Sequence, residues 1–389
     1  MLDLNKENID FIWNLANSNN QSLLDKFNTL ENKKQLYDYC SLCNIENHMQ
    51  LFLEKNKNSL KDISDMKHFA NAWKKKKIQT LLNIDKGLKL CNDLSKNNIN
   101  YVALKGLSYT HFLSIEERTF RDIDILVEIS DLEKCYKIAQ KHGFNFKHKR
   151  EFKNSFVTRK LEKYALPQMY NDSGVVLEIH YRIIADEKKV CELTNHLIKS
   201  KKTKNINGLT IHTPSSDYRF LHFAYHSISK GNFDVGISCI FDFFLLQKKH
   251  AIDFSKVIKI AAKHGLEKDV KIFKKILDQR ANSSDKKEDK LYELIKFLFL
   301  KPPTNKRLTG FHLSKGIRSK LLYLKKYVFV ENEILERDYL PKNNLLIVRI
   351  MFRWKRQLLT MQKVIYSFFN NFNDDKKRAK KIYFLKKHI

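Results

Sequence analysis

Through residues 1–68 apolar side chains recur every three to four positions, in stretches such as NIDFIWNLA and SLLDKFNTL separated by Asn-rich joints. That period predicts a series of amphipathic helices. A longer helix is expected from about Phe69 to Leu94, passing through KKKK at 74–77 with those lysines on a solvated face, and SKNNIN ends it. The period then falls to two. Asn100 to Leu104 reads as a short strand, RDIDILV as a second, and YALPQMY and VVLEIHYRI flank NDSG as a β-hairpin with a Gly-containing turn. Between the first two strands, Gly106 permits a tight turn, and Leu107, Thr110, His111 and Leu113 return to helical spacing, so a helix is expected to start there. Ser130-Asp131-Leu132-Glu133 has capping-box spacing for the next helix, and Gly143 stops it. After TPSSD at 213–217 the pattern is helical to the end. The expected class is α+β: a small mixed sheet flanked by helices, with helical regions at both ends.

Alternation along a strand places Asp122 and Asp124 on one face and packs Ile123 and Ile125 on the other. ILV continues directly after Asp124, which marks a buried strand, and a buried acid is costly unless it meets a cation. Glu178 stands between Leu177 and Ile179 in a later apolar run, and His180 shares its face, as an assisting base or phosphate donor or as filler of a polar layer. Clustered carboxylates of this kind suit a hard divalent cation that bridges phosphate oxygens. Lys105-Gly106 at the first turn, followed by Ser108, supplies a point charge, free backbone N–H groups and a hydroxyl to an anion at the start of the expected helix. Arg118 and Arg121 precede the acids as phosphate contacts or as ion-pair partners. His222 and His226 lie four apart on one helix face, a spacing that can bind a transition metal but that, with no nearby acid or Cys to complete a site, more often serves packing or hydrogen bonding to the catalytic domain.

In order, ALKGLSYTHFL, ERTFRDIDILV and VVLEIHYRI resemble the motifs of the polymerase-β-like nucleotidyltransferase superfamily, in its bacterial branch of poorly characterised nucleotidyltransferases. The resemblance covers roughly residues 70 to 245. Many members carry Gly-Ser or Gly-Gly at the turn, whereas Gly106 here is followed by Leu107 and then Ser108. The resemblance implies a nucleotidyltransferase core over 69–212 and a helical domain over 213–300 closing the cleft, while the residue pattern itself makes 1–68 a helical N-terminal region and 301–389 a basic, aromatic-rich helical tail. It implies that Asp122, Asp124 and Glu178 hold Mg²⁺, or Mn²⁺, on an NTP. Lys105, Gly106, Ser108, Arg118 and Arg121 then contact nucleotide or phosphate. Arg118 matches the recurrent arginine upstream of the Asp pair. A His in one helix and an Asp in the next match His226 and Asp242, which with His180 form a second rank of site residues.

The chain of 389 residues, 43% hydrophobic and 12% aromatic, is ample for two or three cores and excludes a disordered protein. Its net charge of +30 suits a polyanionic partner, although abundant Asn, Ile, Phe and Tyr with only 10 Gly and 5 Pro point to an AT-rich coding bias behind part of it. Residues 311–389 hold 19 Lys and Arg against 6 Asp and Glu. In that tail LLIVRIMFRWKRQLLTMQKVIYSFF is interrupted by Arg349, Arg353, Lys355 and Arg356, so it reads as a packing helix, an interfacial membrane helix or a nucleic-acid arm rather than a span. Only Cys40 and Cys43 form a CxxC, with no second pair at zinc spacing. No signal or membrane-spanning segment is seen, and a reduced, cytoplasmic protein is expected. The functional expectation is transfer of a nucleoside monophosphate from an NTP, with pyrophosphate leaving, to a small-molecule, glycan-linked or RNA acceptor. A toxin-type transferase acting on RNA and a non-catalytic nucleotide-binding module are the alternatives.

Overall fold

The computed structural model describes residues 6–17, 22–31, 33–61, 64–146, 165–183, 190–230, 233, 236–281, 290–300, 313 and 376–389. The chain divides into two compact units, Leu2–Lys287 and Glu288–Ile389.

The first unit begins with four helices, α1 (Lys6–Asn17), α2 (Ser22–Thr29), α3 (Lys33–Cys43) and α4 (Glu46–Lys55), as the three-to-four-residue period requires. Phe11, Phe27 and Phe52 form a triangle of ring contacts at 5.6 to 5.7 Å between them. The long helix α5 spans Ser64–Lys96. Its KKKK run splits: Lys74 and Lys75 are exposed, while Lys76 pairs with Glu46 and Lys77 with Glu116, each at 2.5 Å. Two of the four lysines therefore pin neighbouring segments to α5 instead of lying on a solvated face.

Strands β1 (Tyr101–Leu104) and β2 (Asp122–Val127), helix α6 (Leu132–Lys141), strands β3 (Asn145–Phe146), β4 (Met169–Tyr170) and β5 (Val176–His180) follow. They build a mixed five-stranded sheet of order β1-β2-β5-β4-β3, in which β2 and β5 are parallel and the other pairs antiparallel. The α+β class is thus realised. The hairpin at NDSG closes with Gly174 at φ 74° and Asn171 Oδ1 accepting from Val175 N–H at 2.9 Å. Ser130 does not cap α6, because the cap position falls at Asp131 without a side-chain cap bond, and Asp131 accepts instead from Asn100 N–H at 2.9 Å. Gly143, at φ 81°, ends that helix as expected.

Helix α7 (Val190–Lys199) leads to a two-stranded hairpin, β6 (Lys202–Ile206) and β7 (Leu209–Thr213). Asn207 and Gly208 both take positive φ, 51° and 79°, the signature of a primed two-residue turn. Helices α8 (Ser216–Tyr225), α9 (Ser238–Lys249), α10 (Phe254–Lys263) and α11 (Glu267–Ala281) complete the unit, and α8 runs on into a π turn over His226–Lys230. Tyr101, Ala103, Ile123, Ile125, Val127, Leu177 and Ile179 fill one face of the large sheet beneath Leu88, Cys91 and Leu94 of α5 and Cys135 and Ala139 of α6. That apolar side is sealed by helices, and the polar side chains of β2 and β5 are left to the other face.

In the second unit, α12 (Lys290–Leu300) contributes Ile295, Leu298 and Phe299 to a buried layer that includes Ile382 and Leu385 of a helix over 376–388. Arg378 donates to the Leu298 carbonyl at 3.0 Å. The apolar, cation-interrupted stretch singled out in the tail lies outside the described residues. Among the described residues no helix is long and apolar enough to cross a membrane.

Candidate active site

Parallel pairing of β2 with β5 sets Asp124 opposite Glu178 in register, with His180 one sheet position further along the same face. Asp124 is 1% exposed. Its Oδ1 accepts from Lys105 Nζ at 2.6 Å and lies 2.9 Å from His180 Nε2, while its buried Oδ2 has no hydrogen-bond partner. Glu178 accepts from Gln168 Nε2 at 2.6 Å, and its other oxygen lies 3.4 Å from His180 Nε2. Tyr170 in turn donates to Gln168 at 2.7 Å, so the hairpin that delivers Glu178 also orients it. Among the described residues, Asp124, Glu178 and His180 each offer one ligand atom within 4.8 Å of the others. Asp122 stands beside this cluster rather than in it, and the donor trio brought together contains His180 in its place.

The turn after β1 differs from the expected one. Lys105, not Gly106, takes the left-handed conformation, at φ 43°, and Gly106 is α-helical at φ −50°. Glycine is required there for a different reason: a Cβ on residue 106 falls 2.3 Å from Cγ of Phe120. Phe120 is itself held by α5, whose Thr80 and Asn83 donate to its carbonyl at 3.2 and 2.9 Å. The expected helix beyond Gly106 is a single 3₁₀ turn, Leu107–Tyr109. Ser108 and Thr110 donate their hydroxyls back to the carbonyls of Lys105 and Leu107, at 2.7 and 2.9 Å, and such local bonds compete with helix propagation. No helix N-terminus is therefore presented to an anion, and the fully buried Ser108 hydroxyl is engaged within the turn.

Arg118 and Asp242, 124 positions apart, meet as a bidentate pair with both contacts at 2.8 Å, and the guanidinium lies 4.9 Å over the Tyr109 ring. Arg121 instead reaches Asn44, between α3 and α4. Helix α8 and its π turn bring His222, His226 and Lys230 within electrostatic reach of Lys105, and Lys230 feels Asp122, Asp124 and Glu178 as well. Lys230 escaped the sequence reading. Its signal was the four-residue step from His226 in HSISK, the same step that joins His222 to His226. Gln168 carried no signal, because nothing in LPQMY marks it as the partner of an acid ten positions on.

The electrostatics divide the acids. Burial pushes Asp124 up, but Lys105 and His180 outweigh it and hold the carboxyl well below the usual carboxylate range. The His180 hydrogen bond likewise lowers Glu178 against the cost of its burial. Asp122, partly buried and repelled by Asp124 and Glu178, is pushed up to about 6. Burial pulls Lys230 down to about 8 and His226 to about 3. A divalent cation fits this set. The orphaned Asp124 Oδ2 is a buried acceptor that protein donors leave unsatisfied, and two carboxylates with an imidazole form a donor group suited to Mn²⁺ and compatible with Mg²⁺.

A mixed sheet that bears paired carboxylates, register-matched across parallel strands, with Lys105 on Asp124 and Lys230 within electrostatic reach, defines an acidic, cation-competent centre. The family of uncharacterised nucleotidyltransferases matches residues 56–279, more than half of the chain, and the protein belongs to that family. No curated protein matches its sequence.

Proposed function

We propose that the chain moves a nucleoside monophosphate from an NTP to an acceptor hydroxyl or phosphate in a metal-dependent reaction, on a site of the polymerase-β-like type. One observation carries the reading: Asp124 and Glu178 face each other in register, with a buried Asp124 oxygen left for a cation. Asp124 and Glu178, with His180 as third donor, would hold the ion. When bound, that ion supplies charge neutralisation on the triphosphate. Lys105, beside Asp124, would contact the phosphates, and Lys230 would add a second positive charge from the π turn. The acceptor oxygen attacks the α-phosphorus in line, the bond to the bridging α–β oxygen breaks, and pyrophosphate departs with the electron pair. Asp122, beside the cluster, takes the acceptor's proton as the new O–P bond forms. The Arg118–Asp242 pair ties the loop before β2 to α9 and so positions the Asp-bearing strand.

Asp124→Asn tests this. Pyrophosphate release from labelled NTPs should fall by at least about a hundredfold, the scale of a lost charge-stabilising group, with circular dichroism unchanged. Undiminished release in a folded variant removes the assignment. Incubation of the wild-type chain with labelled NTPs and either total tRNA or sugar phosphates identifies the acceptor class. The charge of +30 favours the RNA arm enough to include it. Mg²⁺-dependent NTP binding with no pyrophosphate in either arm selects the binding-module reading.

A further inference from the structure

Arg219 lies on the same stripe of α8 as His222, His226 and Lys230, at steps of three, four and four residues. Its Cα is ~16 Å along the helix from that of Lys230, at 1.5 Å per residue. It is 5% exposed, and no carboxylate among the described residues is paired with it. Nη1 bonds His250 Nε2 at 2.9 Å, and Nη2 donates to Thr213 Oγ1 at 3.3 Å and to the Pro214 carbonyl at 3.0 Å. Nε is buried without a partner. A buried guanidinium with neutral neighbours only is costly, and one with an N–H that meets no acceptor is more so.

The surroundings are also cationic or neutral. The Phe112 ring carries Arg219 at 4.9 Å, His250 at 4.4 Å and His111 at 4.7 Å, and the buried Nδ1 of His111 is likewise unpartnered. Lys204, exposed on β6, is the remaining group whose charge reaches both imidazoles. Burial and the Arg219 charge keep both imidazoles neutral at pH 7. The cluster therefore holds an arginine and a lysine, neutral donors between them and no acid. Tyr109 sits within electrostatic reach of Arg219 on one hand and of Lys105, Arg118 and Asp242 on the other, so the cluster adjoins the acid centre.

We propose that Arg219, His250, His111 and Lys204 form an oxoanion site that receives a phosphate or carboxylate borne by the acceptor. The acceptor's part in this rests on the nucleotidyl-transfer reading, whereas the anion site itself does not. Calorimetric titration of the full chain with inorganic phosphate and, separately, with acetate tests it, each with and without saturating Mg²⁺ and a non-hydrolysable NTP analogue. One of the two anions should bind with the analogue present, and which of them does so identifies the acidic group. Arg219→Gln should weaken it by roughly tenfold to a hundredfold, the range of a charge-assisted hydrogen bond. The double variant Lys204→Ala, His111→Ala, at more exposed positions, should weaken it severalfold and decides the matter if Arg219→Gln does not fold. The proposal is overturned if neither anion binds, if the analogue displaces the anion, or if the folded variants bind like wild type. An anion that binds while the analogue fails to bind leaves this site standing and removes the nucleotide reading instead.

Discussion

Asp124 Oδ1 is shared between Lys105 and His180, and its Oδ2 touches no donor. The carboxylate is thus stabilised by one imidazole and by one lysine that is itself 23% exposed and held in left-handed backbone. Lys105→Met keeps the backbone strain and removes the charge, leaving a buried carboxylate with only an imidazole beside it. Removing one partner of a buried pair costs about 3–5 kcal/mol, so the metal-free variant should melt well below wild type. Mg²⁺ or Mn²⁺ should restore more stability to the variant than it adds to wild type, because the ion takes over the lysine's role. Thermal unfolding with and without cation checks both; a variant as stable as wild type, or indifferent to cation, contradicts this account of Asp124. These residues were largely legible in the sequence: the alternation of DIDILV placed both aspartates on one face, and VVLEIH supplied Glu178 and His180. What the strand pattern could not give was register. Only the parallel β2–β5 alignment decides that His180 joins Asp124 and Glu178 while Asp122 stands aside.

At the scale of elements, the turn after β1 depends on a close approach between Gly106 and Phe120 and on the clamp that α5 places on Phe120. Gly106→Ala puts a methyl group 2.3 Å from the Phe120 ring, and overpacking of this kind costs about 1–3 kcal/mol. Thr80→Val leaves the Phe120 N–H and carbonyl short of a buried partner, with an expected loss of about 1–3 kcal/mol. Urea unfolding measures both losses, and a stability change under 0.5 kcal/mol in either variant, on the order of an ordinary surface substitution, would show that the clamp does not hold the turn. LSYTHFL has helical apolar spacing, but the hydroxyls of Ser108 and Thr110 cut the helix to one 3₁₀ turn, and periodicity is blind to that competition. Asn207-Gly208 marks the β6–β7 turn in the sequence, but KTKNI, polar on both faces, lacks the alternation of a half-buried strand, and in the fold it is mostly exposed. Arg118 and Asp242 both stood out in the sequence, yet their meeting depends on how α9 returns to the loop before β2, which no local pattern records.

Across the molecule, several histidines are kept neutral by their surroundings. Burial and Arg118 hold His48, stacked at 4.1 Å on Phe241, down to about 3; burial and nearby cations do the same to His226 and His111, and hold His222 well below its ordinary value. A folded-state pKa depressed below the unfolded value of about 6.5 contributes stability above that value and loses it as pH falls toward the folded pKa. Each such group makes stability fall by about 1.4 kcal/mol per pH unit within that window. Asp122, raised to about 6, works in the opposite direction and offsets one of these. The net expectation is a loss on the order of 4 kcal/mol per unit between about pH 6 and pH 4. Urea midpoints at pH 7.5, 6 and 5 test it, and a flat profile would mean that the histidines protonate without unfolding. The parallel pairing of β2 and β5 has a consequence for how the protein comes into being. Asp124 and His180 lie 56 positions apart, and no hairpin can join strands that run the same way. A nascent or truncated chain ending before Val176 therefore carries one of the three cation donors, and Mn²⁺ affinity becomes a gauge of whether the sheet has closed, rising only once synthesis has passed the last donor and the two strands have zipped together.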